Sequence, residues 1–305
     1  MTADALRSRL QDLTGWSPRP ATLLSQKASR SDGGLPLEEL VLRGPRGPMP
    51  ATLILPDRRL PCPAVLYCHA HGGDYRLGRR EMMQGSRFLQ APGYGAALAN
   101  AGFAALCVDM AGFGDRRDEG DENDMAKALF WRGESLFGHM LNDLGAAFGY
   151  LAQRADIDAS RIFTLGLSMG AAHAYWLAAL EPRVAGCAHL CMLADIAPLI
   201  EDGTHARHGF YLSVPGFLNL AEAGDVAGLI APRPQFACHG GKDHLTPPAA
   251  RDAALTRLRA AYANHDPALT CAIDPDAGHG ETAPMRVAVL DFLARAAARG
   301  HHDFN

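Results

Sequence analysis

Apolar and polar positions along the chain follow two alternating rhythms. Six short runs are mostly apolar on successive positions: Pro63–His69, Phe103–Asp109, Ile162–Leu165, Val184–Leu190, Pro234–His239 and Leu269–Asp274. Runs this short, without a polar face, suit strands buried on both sides of a parallel sheet. Between them the apolar residues recur at helical spacing. In 134–153 they fall at 137, 140, 141, 144, 148 and 151, and similar faces run over about 248–263 and 281–298. An Ala/Leu-rich stretch after residue 168 predicts a buried helix, and another is expected from about Gln84 to Ala101, interrupted near Pro92-Gly93. Strands alternating with helices predict an α/β protein: a doubly wound, mostly parallel sheet with helices on both faces.

The flanks depart from this rhythm. Residues 3–13 read as a short amphipathic helix followed by a Pro/Ser-rich connector through Pro20. Leu37–Arg43 and Ala51–Pro56 flank Gly44-Pro-Arg-Gly-Pro48 and read as an antiparallel pair at a sheet edge, where a second copy could add as a homodimer. The expected division is an N-terminal helix and connector over 1–35 and one α/β domain over 36–305. Leu193 to Ile230 is the long break in the alternation and is expected to form a small lid.

Composition narrows the classes. With 305 residues, 48% of them hydrophobic, the chain can bury a substantial core. The formal charge of -4 supplies no basic stripe for nucleic acid or an anionic membrane, and no apolar run approaches the ~18 residues of a membrane span. The first ten residues lack the apolar core of a secretory signal, and the seven cysteines, an odd number set mostly in apolar runs, read as free thiols; both suit the cytoplasm. Cys187 and Cys191 lack the second pair of a zinc site. The acidic stretch 115–124 fails the calcium-loop spacing and is expected to be a solvated loop.

Candidate chemistry centres on Gly166-Leu-Ser-Met-Gly170, between the Ile162–Leu165 strand and the following helix. A serine on so sharp a turn needs neighbours without side chains, and the helix N-terminus then points free N–H groups at whatever the serine attacks. A plain helix cap is the ordinary alternative. In doubly wound sheets reactive groups sit at the carboxyl ends of strands. The residues there are His69-Ala-His71-Gly72-Gly73, Ser168, Gly240-Gly-Lys-Asp243 and Gly278-His279-Gly280, giving the chain order Ser, Asp, His.

With these residues in place the sequence resembles the α/β-hydrolases over roughly residues 35–298. Leu66-Tyr-Cys-His-Ala-His-Gly-Gly73 and Asp156-Ile-Asp-Ala-Ser-Arg-Ile162 make it similar to the dienelactone-hydrolase-like and acetyl-xylan-esterase-like branches. One departure matters: dienelactone hydrolases carry a cysteine nucleophile where this chain has Ser168, so a lactone substrate is not implied. The resemblance implies a carboxylic-ester hydrolase that acts on a small-molecule ester through an acyl-enzyme and needs no metal or organic cofactor. Lactone, thioester, amide or peptide cleavage stays open, since the same machinery serves each.

The roles follow from the chemistry. Ser168 is the candidate nucleophile, His279 its base and Asp243 the carboxylate that orients the imidazole, with Asp195, Asp274 and Asp276 as rivals to Asp243. The oxyanion donors are expected to be the N–H of Met169 and that of His71 or, under another alignment, Gly72. Phe210, Tyr211 and Phe217 in the lid are candidate substrate contacts, against the alternative of a plain surface helix pair. Arg76, Arg79 and Arg80 could grip an anionic substrate or simply start a solvated helix, and His244 is expected to face solvent. Two rival classes remain: a metal-dependent amidohydrolase using His69 and His71, and a non-catalytic binding module.

Overall fold

The computed structural model describes residues 1–57 and 60–299, so residues 300–305 of the expected domain lie outside the described part. Among the described residues nine strands form one sheet: β1 (Thr22–Arg30), β2 (Pro36–Gly44), β3 (Gly47–Ile54), β4 (Cys62–Cys68), β5 (Ala104–Val108), β6 (Ile157–Leu167), β7 (Gly186–Leu190), β8 (Gln235–Gly240) and β9 (Leu269–Asp274). Their order is β1-β2-β3-β5-β4-β6-β7-β8-β9. The first three strands and the β3–β5 contact are antiparallel, and β5 through β9 run parallel.

The apolar runs are explained by two cores, one on each face. Along β4, Ala64, Leu66 and Cys68 join a core with α5 (Leu136–Ala152), α6 (Met169–Leu180) and α9 (Pro248–Ala261). Val65 and Tyr67 point the other way, into a core with α3 (Tyr94–Asn100) and α10 (Ala283–Arg299). Alternate residues face opposite sides of a strand, so a strand covered on both sides must be apolar throughout.

Three expectations change. β1 was read as connector, because its nine residues are exposed and show no alternation; it is held by its ladder to β2. It takes the sheet edge expected of residues 37–56 and carries Lys27 and Arg30, charges that disfavour further edge pairing. The 84–101 helix is two short pieces, α2 (Glu81–Gln84) and α3, because Gly85 adopts φ 73° and ends the first. The 115–124 stretch is not a solvated loop: Asp121 caps α4 (Glu122–Phe130), and both Glu122 and Arg116 are buried.

The excursion between β7 and β8 holds α7 (Ile196–Glu201), three 3-10 turns and α8 (Ala223–Gly228). It is anchored on several sides. The Asp195 N–H donates to the Ala250 carbonyl at 3.0 Å and the Asp195 carboxylate accepts from Arg257 at 2.8 Å, while inside the excursion the Ile196 and Ala197 N–H groups donate to the Glu222 carboxylate at 2.6 and 3.1 Å. The His208 Nε2 donates to the Leu245 carbonyl at 3.0 Å, and the Tyr211 N–H donates to Glu122 Oε1 at 3.2 Å. No helix among the described residues is long and apolar enough to cross a membrane.

Among the described residues four histidines, His69, His173, His189 and His239, lie wholly inside the fold, and burial lowers the pKa of all four. Burial pushes His173 and His189 down to about 3 and His239 to about 4. The unfolded chain takes up these protons near pH 6.5 and the folded one cannot, so stability is full above pH 6.5 and is lost as pH falls toward 4. At pH 5 each of His173, His189 and His239 costs about 2 kcal/mol, a large share of a typical domain's stability when taken three times. Urea midpoints are therefore expected to fall steeply between pH 6.5 and 5; a flat profile there would contradict the burial.

Candidate active site

β6 delivers Ser168 to a turn with φ 57° and ψ −125°, a conformation seldom tolerated outside glycine. The turn is possible because of the two flanking glycines. A Cβ at position 166 would run into the Gly170 backbone, and one at 170 into the Cys68 carbonyl. The Ser168 N–H donates to the Leu190 carbonyl at 2.9 Å, and α6 starts at the next residue.

Two other strand ends reach the same point. The Ser168 Oγ lies 2.9 Å from His279 Nε2, and His279 Nδ1 lies 2.8 Å from Asp243 Oδ2. In the tautomer this chain of bonds requires, Nδ1–H donates to the carboxylate and Nε2 accepts from the hydroxyl. Asp243 Oδ1 accepts the Leu245 N–H at 2.9 Å. Burial raises the Asp243 carboxyl, but the His279 hydrogen bond and charge, with the Leu245 amide, outweigh it and hold the group below the usual carboxylate range. His279 is itself pinned. Two residues on, the Glu281 N–H donates to the Phe88 carbonyl at 2.8 Å, the Glu281 carboxylate accepts from the Gln90 N–H and pairs with Arg286, and the Phe88 ring stands edge-on to the imidazole at 5.9 Å.

The rival carboxylates are engaged elsewhere. Asp195 holds the Gly224 N–H and Arg257, Asp274 accepts from Thr282, and Asp276 pairs with Lys242.

After β4 the chain turns sharply, with φ 59° at Gly72 and 72° at Gly73. The Ala70 N–H is already taken by the buried Glu81 carboxylate at 2.8 Å. The His71 ring accepts the Gly73 N–H on Nδ1 and offers Nε2 to Tyr75 Oη and Glu122 Oε2 at 3.0 and 3.1 Å. Burial raises Glu122, yet bonds from His71, Tyr75 and the Tyr211 amide bring it below the ordinary value. His69 is buried, its Nε2 accepting the Met110 N–H and its Nδ1 donating to the Ala70 carbonyl. With both rings so engaged, His69 and His71 do not converge as ligands. No group of three potential metal ligands occurs among the described residues.

Ser168 and His279 open on a cavity of about 410 Å³ whose wall includes His71, Gly72, Tyr211 and His244. Of the three lid aromatics, only Tyr211 faces it; Phe210 and Phe217 line a neighbouring cavity. The basic residues on its wall are Arg87 and Arg207, which the sequence reading missed. Arg79 is buried against Asp109 and Asp115, Arg80 pairs with Asp115, and Arg76 is exposed, so the Arg76–Arg80 cluster is absent from the wall. Glu122 was also missed. Its position at the start of an amphipathic helix behind a capping Asp121 was the available signal.

Architecture and site agree on a class, a hydrolase built on the α/β-hydrolase fold. The model of the dienelactone hydrolase family matches residues 85–303, most of the chain, and the chain belongs to that family. The Bacillus subtilis (strain 168) protein YtaP, named as a hydrolase, is 37% identical over 249 residues, covering 81% of this chain and 83% of its own. A glucuronoyl esterase from Solibacter usitatus superposes with a TM-score of 0.69 at 15% identity, over 95% of this chain and 92% of that one. Acetyl xylan esterase 1 from Thermoanaerobacterium sp. JW/SL YS485 does so with 0.63 at 18%, over 96% and 93%. At these identities the structures speak for the fold.

Proposed function

We propose that the protein is a serine esterase that cleaves small-molecule carboxylic esters through an acyl-enzyme. The observation that carries this reading is the unbroken chain Ser168–His279–Asp243 opening on the 410 Å³ cavity. Ser168 Oγ attacks the ester carbonyl while His279 Nε2 takes its proton, and the Asp243 carboxylate steadies the imidazolium. The tetrahedral oxyanion is held by the N–H groups of Met169 and His71, the neighbouring Ala70 N–H being already bound to Glu81. Collapse releases the alcohol, which receives the proton from His279. Water then repeats the sequence on the acyl-serine and returns the carboxylic acid. The 193–230 segment serves as the lid that keeps water from the intermediate.

A fluorophosphonate tests the assignment, because it reacts fast with a serine activated by a base and slowly with an ordinary hydroxyl. Labelling should fall on Ser168, as located by mass spectrometry, and should track loss of p-nitrophenyl acetate hydrolysis. A label elsewhere, with Ser168 untouched, would remove the proposal.

Glu122 is a positioning residue in this scheme, since it ties the His71 turn to the lid through Tyr211. Glutamine at 122 keeps the shape but sets its NH2 donor either against the Tyr211 N–H or against the His71 and Tyr75 donors. Glu122→Gln is expected to lower kcat about ten- to a hundredfold with KM little changed. A rise of the same size in KM with kcat unchanged would assign Glu122 to ground-state binding instead.

A further inference from the structure

The excursion between β7 and β8 encloses a second cavity, of about 520 Å³, which the chemistry at Ser168 does not use. That size is within the ~300–1,000 Å³ of small-molecule sites. Phe130, Leu199, Phe210, Leu212, Val214 and Phe217 form much of its wall, and no Asp, Glu, Lys or Arg lines it. Its two histidines are turned to backbone carbonyls, His205 Nδ1 to Leu199 at 3.2 Å and His208 Nε2 to Leu245 at 3.0 Å. The serine cavity is the opposite in character, with Arg87, Arg207, His71 and His244 on its wall. The two adjoin at Gly209, which lines both; Tyr211 then faces the serine side and Phe210 and Leu212 the apolar side. Ile200 and Leu218 on the apolar wall are 47% and 43% exposed, so the cavity reaches solvent through an apolar rim.

We propose, on the premise that Ser168 is the nucleophile of an esterase, that this second cavity is the subsite for an apolar part of the substrate. The occupant is an alkyl or aryl group of the same ester whose carbonyl lies at Ser168. The absence of charged wall groups gives an ionic ligand no partner, and Ser213, Asn219, His205 and His208 are the polar side chains on a wall that is otherwise apolar or glycine, too few to replace the hydration of a sugar's many hydroxyls. An apolar group instead gains by leaving water, and it covers a rim that is otherwise exposed. The substrate class is therefore an amphiphilic ester, polar around the scissile bond and apolar at one end.

The test measures kcat/KM along two series in the wild type, Val214→Trp and Leu218→Trp. One series is p-nitrophenyl esters from acetate to decanoate; the other is acetates of alcohols from ethanol to decanol. Neither position belongs to the catalytic machinery, and the exposed Leu218 accepts tryptophan without threatening the fold. One series should climb about fourfold per methylene in the wild type, the equivalent of ~0.8 kcal/mol each. The climb should vanish in both variants while short-ester turnover stays within about threefold. The series that climbs tells which side of the ester enters the cavity. Flat profiles in both series, or a climb that survives both substitutions, would overturn the subsite.

Failure of the esterase reading looks different: no ester is turned over and Ser168 takes no label. Binding of the neutral fluorophore N-phenyl-1-naphthylamine then decides the cavity on its own. Binding lost in Val214→Trp supports an apolar subsite, and binding that is absent or unchanged by the substitution overturns it.

Discussion

Ser168→Ala lowers kcat for p-nitrophenyl acetate by about five to six powers of ten and leaves the fold intact. The size follows from what is removed: without Oγ no acyl-enzyme forms, and the remaining groups can only assist attack by water. The fold survives because alanine keeps the Cβ that the turn at φ 57° already accommodates, and the Ser168 N–H bond to Leu190 is a backbone bond. The melting temperature should stay where it is or rise slightly, since nucleophile sites hold strain that function requires. Steady-state kinetics and a thermal melt on the same preparation check both halves. A variant that keeps more than about a hundredth of the activity would show that another group performs the attack.

Asp243→Asn is the second large effect, with a kcat loss of about three to four powers of ten and little change in KM. The carboxylate does two jobs that an amide of the same shape cannot. It accepts the His279 Nδ1–H at 2.8 Å, which leaves Nε2 free to receive the serine proton, and its charge favours the imidazolium. Asparagine can present its NH2 to Nδ1, and the ring then takes the tautomer with Nε2–H facing Ser168. The Asp243 Oδ1 bond to the Leu245 amide, together with burial on all sides, keeps the substituted side chain in place, so the protein should fold normally. Labelling of Ser168 should slow in step with turnover. A loss below about tenfold would hand the orienting role to another carboxylate.

What the sequence revealed and what it hid have the same physical root. β4 was legible because both its faces are covered, which forces every position to be apolar and leaves a local signature. The meeting of Ser168, Asp243 and His279 followed from topology. In a parallel sheet every strand delivers its next loop to one edge, so residues 75 and 111 positions apart become neighbours when they share that edge. Choosing Asp243 over Asp195 was harder, as both are buried, and only their partners in the fold tell them apart, His279 for Asp243 against Gly224 and Arg257 for Asp195. β1 left no pattern because its stability is borrowed from the backbone of β2. Glu122 and Arg79 looked solvated because their burial depends on segments far along the chain. Glu122 is covered by the excursion at Tyr211, and Arg79 is held by Asp109 at the end of β5. The sequence offers all three aromatics of the excursion alike as substrate contacts, but Gly209 turns the chain between two cavities and sends Tyr211 one way and Phe210 the other.

The roof over the serine is tied down on several sides, at Ala250, at Leu245 and at Glu122. A cover so fastened works as a sieve and not as a valve. Discrimination among esters then lies in the dimensions of a standing aperture, set by side chains such as Leu218 and Tyr211, and not in the timing of an opening. Dissolved single molecules should be handled as readily as aggregated ones, without the lag or the burst at an oil–water boundary that mark hydrolases whose cover must first swing aside.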